Sequence, residues 1–334
     1  MLFTSLTRIS DLTTVPFAVT ELPRDQWQTG DYVVAQMLET AHGPAMIELQ
    51  DGRQTFPMEG DLVVGAWGVR HATLESVGTW QAIGGDLTFR ALTGAGLFGK
   101  ETSKSSFSPN LLRMRYVGHT TRNGVPVRMD QFGVGDSSER LRAPMVLIVG
   151  TSMSAGKTMS AKVIIRRLKV DLGLKVIGAK FTGAGRYRDV LSMRDAGADA
   201  VFDFVDVGLP STVCPEDEYR LALRRLLSRI AAEDPDVVVV EGGASPLEPY
   251  NGEAMIEEVR HLVKLTVLSA SDPYAVVGVI KGFEFEPDLV TGIATNTVAG
   301  LELVNELTGI AALDVVDRGS WPELTRILKE SLIG

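Results

Sequence analysis

Five apolar residues, Met145 to Val149, run without a break into Gly150-Thr151-Ser152-Met153-Ser154-Ala155-Gly156-Lys157-Thr158. Such a run, bounded by a glycine turn, reads as a buried strand. A stretch of good helix formers follows from Met159 to Asp171, with apolar residues at Val163, Ile164, Leu168 and Leu172 and a stop at Gly173. Strand, glycine-bounded loop and helix in this order make a phosphate-binding loop. Successive backbone N–H groups cradle phosphate oxygens, Lys157 reaches the outer phosphates, the Thr158 hydroxyl can ligate Mg²⁺, and the helix start adds its dipole. Residues 150–158 are therefore assigned to nucleotide binding. The usual pattern places its first glycine five residues before Gly156, whereas this chain has Thr151 there and Gly150 one step earlier. That departure points to a subclass of the loop.

At 334 residues the chain is longer than one core usually supports, so two domains are expected, with a boundary at 142/143. The net charge is −9, divided as about −2 before residue 143 and −7 after it. Neither part is basic, which argues against nucleic acid as a partner, since phosphate-backbone binding needs cationic surface. A single cysteine, Cys214, excludes an internal disulfide and suits a reducing compartment. No apolar run approaches the ~20 residues that cross a bilayer, and the N-terminus lacks the pattern of a signal peptide. The expectation is a cytoplasmic protein without a membrane partner.

The two parts differ in rhythm. Short β-rich runs at 32–38, 45–49, 61–67 and 74–80 are separated by turns such as Asp51-Gly52 and Gly84-Gly85-Asp86, which suggests a small barrel or sandwich. Leu92 to Asn110, rich in glycine, serine and lysine, is expected to be a long loop, and its Lys100 and Lys104 to belong to a segment closing over a substrate. Arg122-Asn123-Gly124-Val125 reads as a hairpin turn and Asp136 to Arg142 as the interdomain connection. After Pro144, strands are expected at 145–149, 175–180, 200–206, 236–241, 264–269, 289–295 and 311–316 with helices between most of them. This alternation implies a parallel α/β sheet covered on both faces, whose ligands bind at the carboxyl ends of the strands.

Those ends carry the remaining candidates. Glu241, closing Asp236-Val-Val-Val-Val-Glu241 before two glycines, is placed to hold Mg²⁺ or one of its waters. Lys180, before Phe181-Thr-Gly-Ala-Gly185, can neutralise charge on a transferred phosphoryl group. Asp203 and Asp206 are expected to share a strand face, with Asp206 assigned to the metal and Asp189 and Asp203 competing for that role. Asn296 could pair with the edge of a purine. The histidines at 42, 71, 119 and 261 show no metal-ligand spacing.

Together these segments resemble dethiobiotin synthetase and its relatives. That family shares the frame Gly-Thr, four variable residues, Gly-Lys-Thr, a lysine closing the second strand, a Val-Glu-Gly strand end like Val240-Glu241-Gly-Gly-Ala244, and an asparagine near the adenine where Asn296 stands. The likeness covers about residues 144 to 318. It implies ATP and Mg²⁺ as cofactors, a homodimer, and phosphorylation of a carboxylate or carbamate on a small-molecule substrate, with Lys157, Lys180 and Glu241 in the catalytic roles. The family has no β-rich domain in front, and its substrate-binding segments have no counterpart here. The leading expectation is an ATP-dependent ligase or kinase. A nucleotide-gated switch or chaperone acting on a protein partner is the alternative, and a polynucleotide kinase is disfavoured by the acidic charge.

Overall fold

Met145 to Gly150 is buried throughout and forms β1, the strand from which the second half of the molecule is organised. The computed structural model describes residues 1–40, 45–135, 139–243, 245–283 and 285–333. His42, Ala244 and the first three residues of the expected connection at 136–142 lie outside them.

The other strands of this sheet are β2 (Val176–Thr182), β3 (Ala200–Asp203), β4 (Val237–Gly242), β5 (Val263–Ser269) and β6 (Leu289–Thr291). All pair in parallel, in the order β3-β2-β4-β1-β5-β6. β1 and β4, buried on both faces, carry no alternation and are nearly continuous valine, isoleucine and leucine. Helix α1 (Lys157–Val170) runs over β1, β2, β4 and β5 beside the last helix, α7 (Trp321–Leu332), whereas α3 (Glu216–Ala231) and α4 (Gly252–Val259) pack on each other and on β3 and β2. Between them in sequence lie α2 (Tyr187–Asp195), α5 (Pro273–Phe283) and α6 (Val298–Thr308). This is a P-loop α/β architecture. β4, which carries Glu241 one residue before its end, is the immediate neighbour of β1.

The expected parallel sheet is present, with three corrections. The strand expected at 289–295 ends at Thr291, and Ile293–Thr295 is a 3₁₀ turn. The strand expected at 200–206 ends at Asp203, and Phe204–Val207 is a 3₁₀ turn. Residues 311–316 make no strand; Ala312 forms one isolated bridge to Val290. These segments are apolar enough to read as strands, and apolarity alone does not supply a partner along the ladder.

The first half is a β-barrel. Strands Leu62–Trp67, Tyr32–Met37, Arg113–Arg122, Thr88–Thr93 and Leu97–Lys104 pair in that order, and the last closes back on the first through a parallel seam, Leu97 opposite Ala66 and Phe98 opposite Trp67. Its interior is aromatic: Trp67 stacks on Trp27 with ring centroids 5.0 Å apart, and Phe89 and Phe98 meet its edges. The hairpin at Arg122 to Val125 forms, with Asn123 and Gly124 both at positive φ. The expected loop over 92–110 is wrong in its centre, because Leu97–Lys104 is a barrel strand that also pairs Ser76–Thr79. Lys100 turns to Thr88 and Asp86, and Lys104 donates to the Ser108 carbonyl at 2.8 Å, so neither belongs to a closing segment.

Compactness divides the chain differently from its sequence order. One unit comprises residues 1–135 with 184–188 and 204–215, and the other 136–183, 189–203 and 216–334. Two segments that follow β2 and β3 are thus built into the barrel unit. Ala184 bridges Ser211, Gly185 N–H donates to the Pro210 carbonyl at 3.0 Å, and Val134 N–H donates to the Asp206 carbonyl at 3.1 Å.

Candidate functional site

The loop from Thr151 to Gly156 turns back on itself and hands the chain to α1 at Gly156, whose φ of +103° favours glycine. Lys157 is the first residue of α1 and is only 2 % exposed; its Nζ donates to the Ser152 carbonyl at 2.6 Å, inside its own loop. The lysine stem crosses the backbone at Gly150. A Cβ there would lie 2.8 Å from both Cδ and Nζ of Lys157, which accounts for a glycine at 150. Thr151 is a tie: its N–H donates to the Ser269 carbonyl at 3.1 Å, and its Oγ1 accepts from Ser271 N–H at 3.0 Å. The Gly-Thr start that departs from the usual pattern therefore makes room for the lysine and pins the loop to the end of β5.

The parallel register sets the acids and the second lysine side by side. Ile148 lies opposite Glu241, Glu241 opposite Lys180, and Lys180 opposite Asp203. Residues in register point to one face. Thr158 Oγ1 donates to Glu241 Oε2 at 3.0 Å, and Lys180 Nζ lies 2.6 Å from Asp189 Oδ2. Lys180 runs through a narrow slot: a Cβ on Gly243 would stand 2.8 Å from its Cε and 2.1 Å from the Thr182 carbonyl oxygen, and one on Gly183 would stand 3.3 Å from Cε. The two glycines are what admit the side chain. Asp189 is the residue that sequence reasoning left among three competitors. It lies in the first turn of α2, and an acid soon after a glycine loop was the only signal for it.

These groups are buried in one another's fields. Burial lowers the Lys157 pKa, the Lys180 ammonium lowers it further, and the Glu241 carboxylate opposes both. Burial raises the Glu241 pKa; Lys180 and then Lys157 pull it down, while Asp189 pushes it up. Two lysines and two carboxylates balance, and each favours the charged form of its opposite.

The remaining sequence candidates are placed differently from one another. Asp206 is in the barrel unit, 2.9 Å from Arg8, and residues three apart would in any case face opposite sides of a strand. Asp203 is fully buried at the end of β3. Asn296 is exposed and follows the 3₁₀ turn Ile293–Thr295 at the carboxyl end of β6. His119 is a barrel core residue, bonded to Asp31 at 3.1 Å and Tyr116 at 2.6 Å. Among the described residues no group of three or more His, Cys, Asp or Glu could hold a metal ion by itself, and no helix is long and apolar enough to cross a membrane. Thr158 and Glu241 suit Mg²⁺ all the same, since that ion keeps waters and phosphate oxygens as most of its ligands.

The second unit is a P-loop α/β domain. Solved structures similar to part of this chain include chloroplast FtsY from Physcomitrella patens, 16 % identical with a TM-score of 0.38, and a DUF1611 family protein from Anabaena variabilis, 18 % identical with a TM-score of 0.37. Each match covers 57 % of this chain, and 66 % and 58 % respectively of the other, less than two thirds of either. Hydrogenase maturation factor HypB from Archaeoglobus fulgidus, 15 % identical with a TM-score of 0.40, is matched over 57 % of this chain and 90 % of its own. No family model matches the chain, and no curated protein does. The P-loop α/β domain is defined by its own sheet order and loop.

Proposed function

We propose that this protein binds a nucleoside triphosphate with Mg²⁺, ATP in the first instance, and transfers its terminal phosphoryl group to a small molecule, as the dethiobiotin synthetase-like resemblance implies. The observation that carries this reading is the meeting of Lys157, Thr158, Lys180 and Glu241 at the carboxyl edge of one parallel sheet. Thr158 and Glu241 would hold the metal, which supplies charge neutralisation at the phosphates when bound. Lys157 exchanges the Ser152 carbonyl for phosphate oxygens, and Lys180, held in its slot, meets charge that grows during transfer. An open cleft of 480 Å³ is lined by Glu216, Glu248, Glu253 and Glu257 against Arg220, and Glu248 favours the charged form of Lys157. Its acidity favours a cationic acceptor, an amine, over an anionic one.

Calorimetric titration of ATP and GTP with Mg²⁺ into wild-type protein and Lys157→Ala tests the reading. The variant is expected to lose affinity by about 10- to 100-fold, the worth of a charge-assisted contact. Equal affinity in both proteins, or none in the wild type, removes it.

A second reading, a nucleotide-gated switch on a protein partner, draws on one observation: the segments that follow β2 and β3 are built into the barrel unit. Hydrolysis that no amine or carboxylate accelerates, but that a bound protein does, would favour it.

A further inference from the structure

Glu48 belongs to the strand Ile47–Glu48 of the barrel unit and is 2 % exposed. A carboxylate so deeply buried needs partners, and two of the partners of Glu48 lie about 140 residues further along the chain. Oε1 accepts from the Tyr187 N–H at 2.7 Å and from the Ser5 hydroxyl; Oε2 accepts from the Arg188 N–H at 3.1 Å. Tyr187 and Arg188 open helix α2, so Glu48 takes up two N–H groups that a helix start leaves without intrahelical partners, and it places a full negative charge at the positive end of the dipole. The segment is held at further points: the Thr93 hydroxyl donates to the Gly185 carbonyl at 3.2 Å, and the Arg8 guanidinium lies 4.4 Å over the Tyr187 ring.

The residue after Arg188 is Asp189, whose carboxylate is 2.6 Å from Lys180 Nζ. One peptide bond therefore joins the two N–H groups fixed by Glu48 to the acid that fixes Lys180. We infer that Glu48 is a positioning residue for Lys180: by anchoring the first turn of α2 it sets where Asp189 stands, and Asp189 sets the ammonium. Its importance to turnover rests on the phosphoryl-transfer reading; its hold on Lys180 does not.

The effect shows in the protein without nucleotide. Glu48→Gln keeps the shape of the side chain, removes its charge and turns an acceptor toward a donor role at one of the two N–H groups. Brief acylation with an amine reagent, read by mass spectrometry, is expected to label Lys180 about tenfold faster in Glu48→Gln than in wild type, the worth of a charged hydrogen bond. Lys157, also buried but held by Ser152 of its own loop, serves as the internal reference and is expected to change much less than Lys180. Asp189→Asn should reproduce the effect on Lys180. Should Glu48→Gln fail to fold, Ser5→Ala, which removes only the hydroxyl that orients Oε1, is expected to shift Lys180 in the same direction. An unchanged Lys180 rate in a folded variant overturns the inference, and so does an equal rise at Lys157, which would mean general loosening.

Where wild-type protein hydrolyses Mg·ATP, Glu48→Gln is expected to lower kcat about tenfold with ADP affinity unchanged. A loss of ADP affinity alone, at full kcat, overturns the positioning role in turnover. Selective labelling in a protein that binds no triphosphate would support the positioning of Lys180 and remove the functional reading instead.

Discussion

Lys157 is buried where an ammonium is hard to keep. Its pKa lies below that of an ordinary lysine because burial and then Lys180 disfavour its charge. A triphosphate brings negative charge and drives the pKa back up, so binding takes up a proton. Affinity is then greatest below the depressed pKa and declines as pH rises through it, earlier than an ordinary lysine would allow. Calorimetry above neutral pH, in two buffers of different ionisation enthalpy, should show both the falling affinity and the proton uptake. Gly150 is tested at the same scale. Gly150→Ala sets a methyl group 2.8 Å from the Lys157 stem, and the flexible stem rather than the backbone must give way. Triphosphate affinity is expected to fall about tenfold while stability changes by less than about 1 kcal/mol, as checked by titration and by denaturant unfolding. The sequence already singled out both residues. What it lacked was the reason for a glycine at 150, which is the path of a side chain seven positions away.

At the scale of elements, the starts of α6 and α2 are fixed in different ways. α6 begins at Thr297, whose hydroxyl accepts from the Gly300 N–H at 3.1 Å. Thr297→Ala should cost about 1 kcal/mol, measured by denaturant unfolding, and any change in the adenine-to-guanine preference would place Asn296, one residue earlier, near the base. The start of α2 is fixed instead by Glu48, far away in sequence, and no capping pattern near Arg186 foretells it. This contrast explains which elements were legible. β1, β4 and α1 announce themselves through periodicity and turn chemistry within a window of a dozen residues. The strand at 97–104 does not, because its polar half is stabilised by pairing with 76–79 and its apolar half by the parallel seam with 62–67. A strand defined by its neighbours leaves little mark in its own composition.

For the molecule as a whole, the two segments that belong to the barrel unit yet follow β2 and β3 bear on how the chain can be divided. A fragment ending at residue 142 lacks the Gly185 and Pro210 backbone, the Val205 and Leu209 side chains that are buried in the intact protein, and the Tyr187 and Arg188 N–H groups that donate to Glu48. Expressed alone, residues 1–142 are expected to retain β-structure by far-ultraviolet circular dichroism but to unfold at lower denaturant than the barrel unit of the full chain. Hydrogen exchange should show the loss concentrated around Ser5, Glu48 and Thr93. Equal protection in fragment and full chain would mean that the two segments contribute nothing to the barrel.

By itself the sequence determined the phosphate loop, the parallel α/β sheet around it, the candidates Lys157, Thr158, Lys180 and Glu241, and a β-rich first half, because each follows from apolar period, glycine placement and strand ends over short stretches. Tertiary structure alone decided which aspartate meets Lys180, why Asp206 turns to Arg8, and that an acid in the barrel anchors the helix carrying Asp189. These are pairings between residues distant in sequence, chosen by how strands register and where buried charges find partners, and local sequence carries no record of that choice.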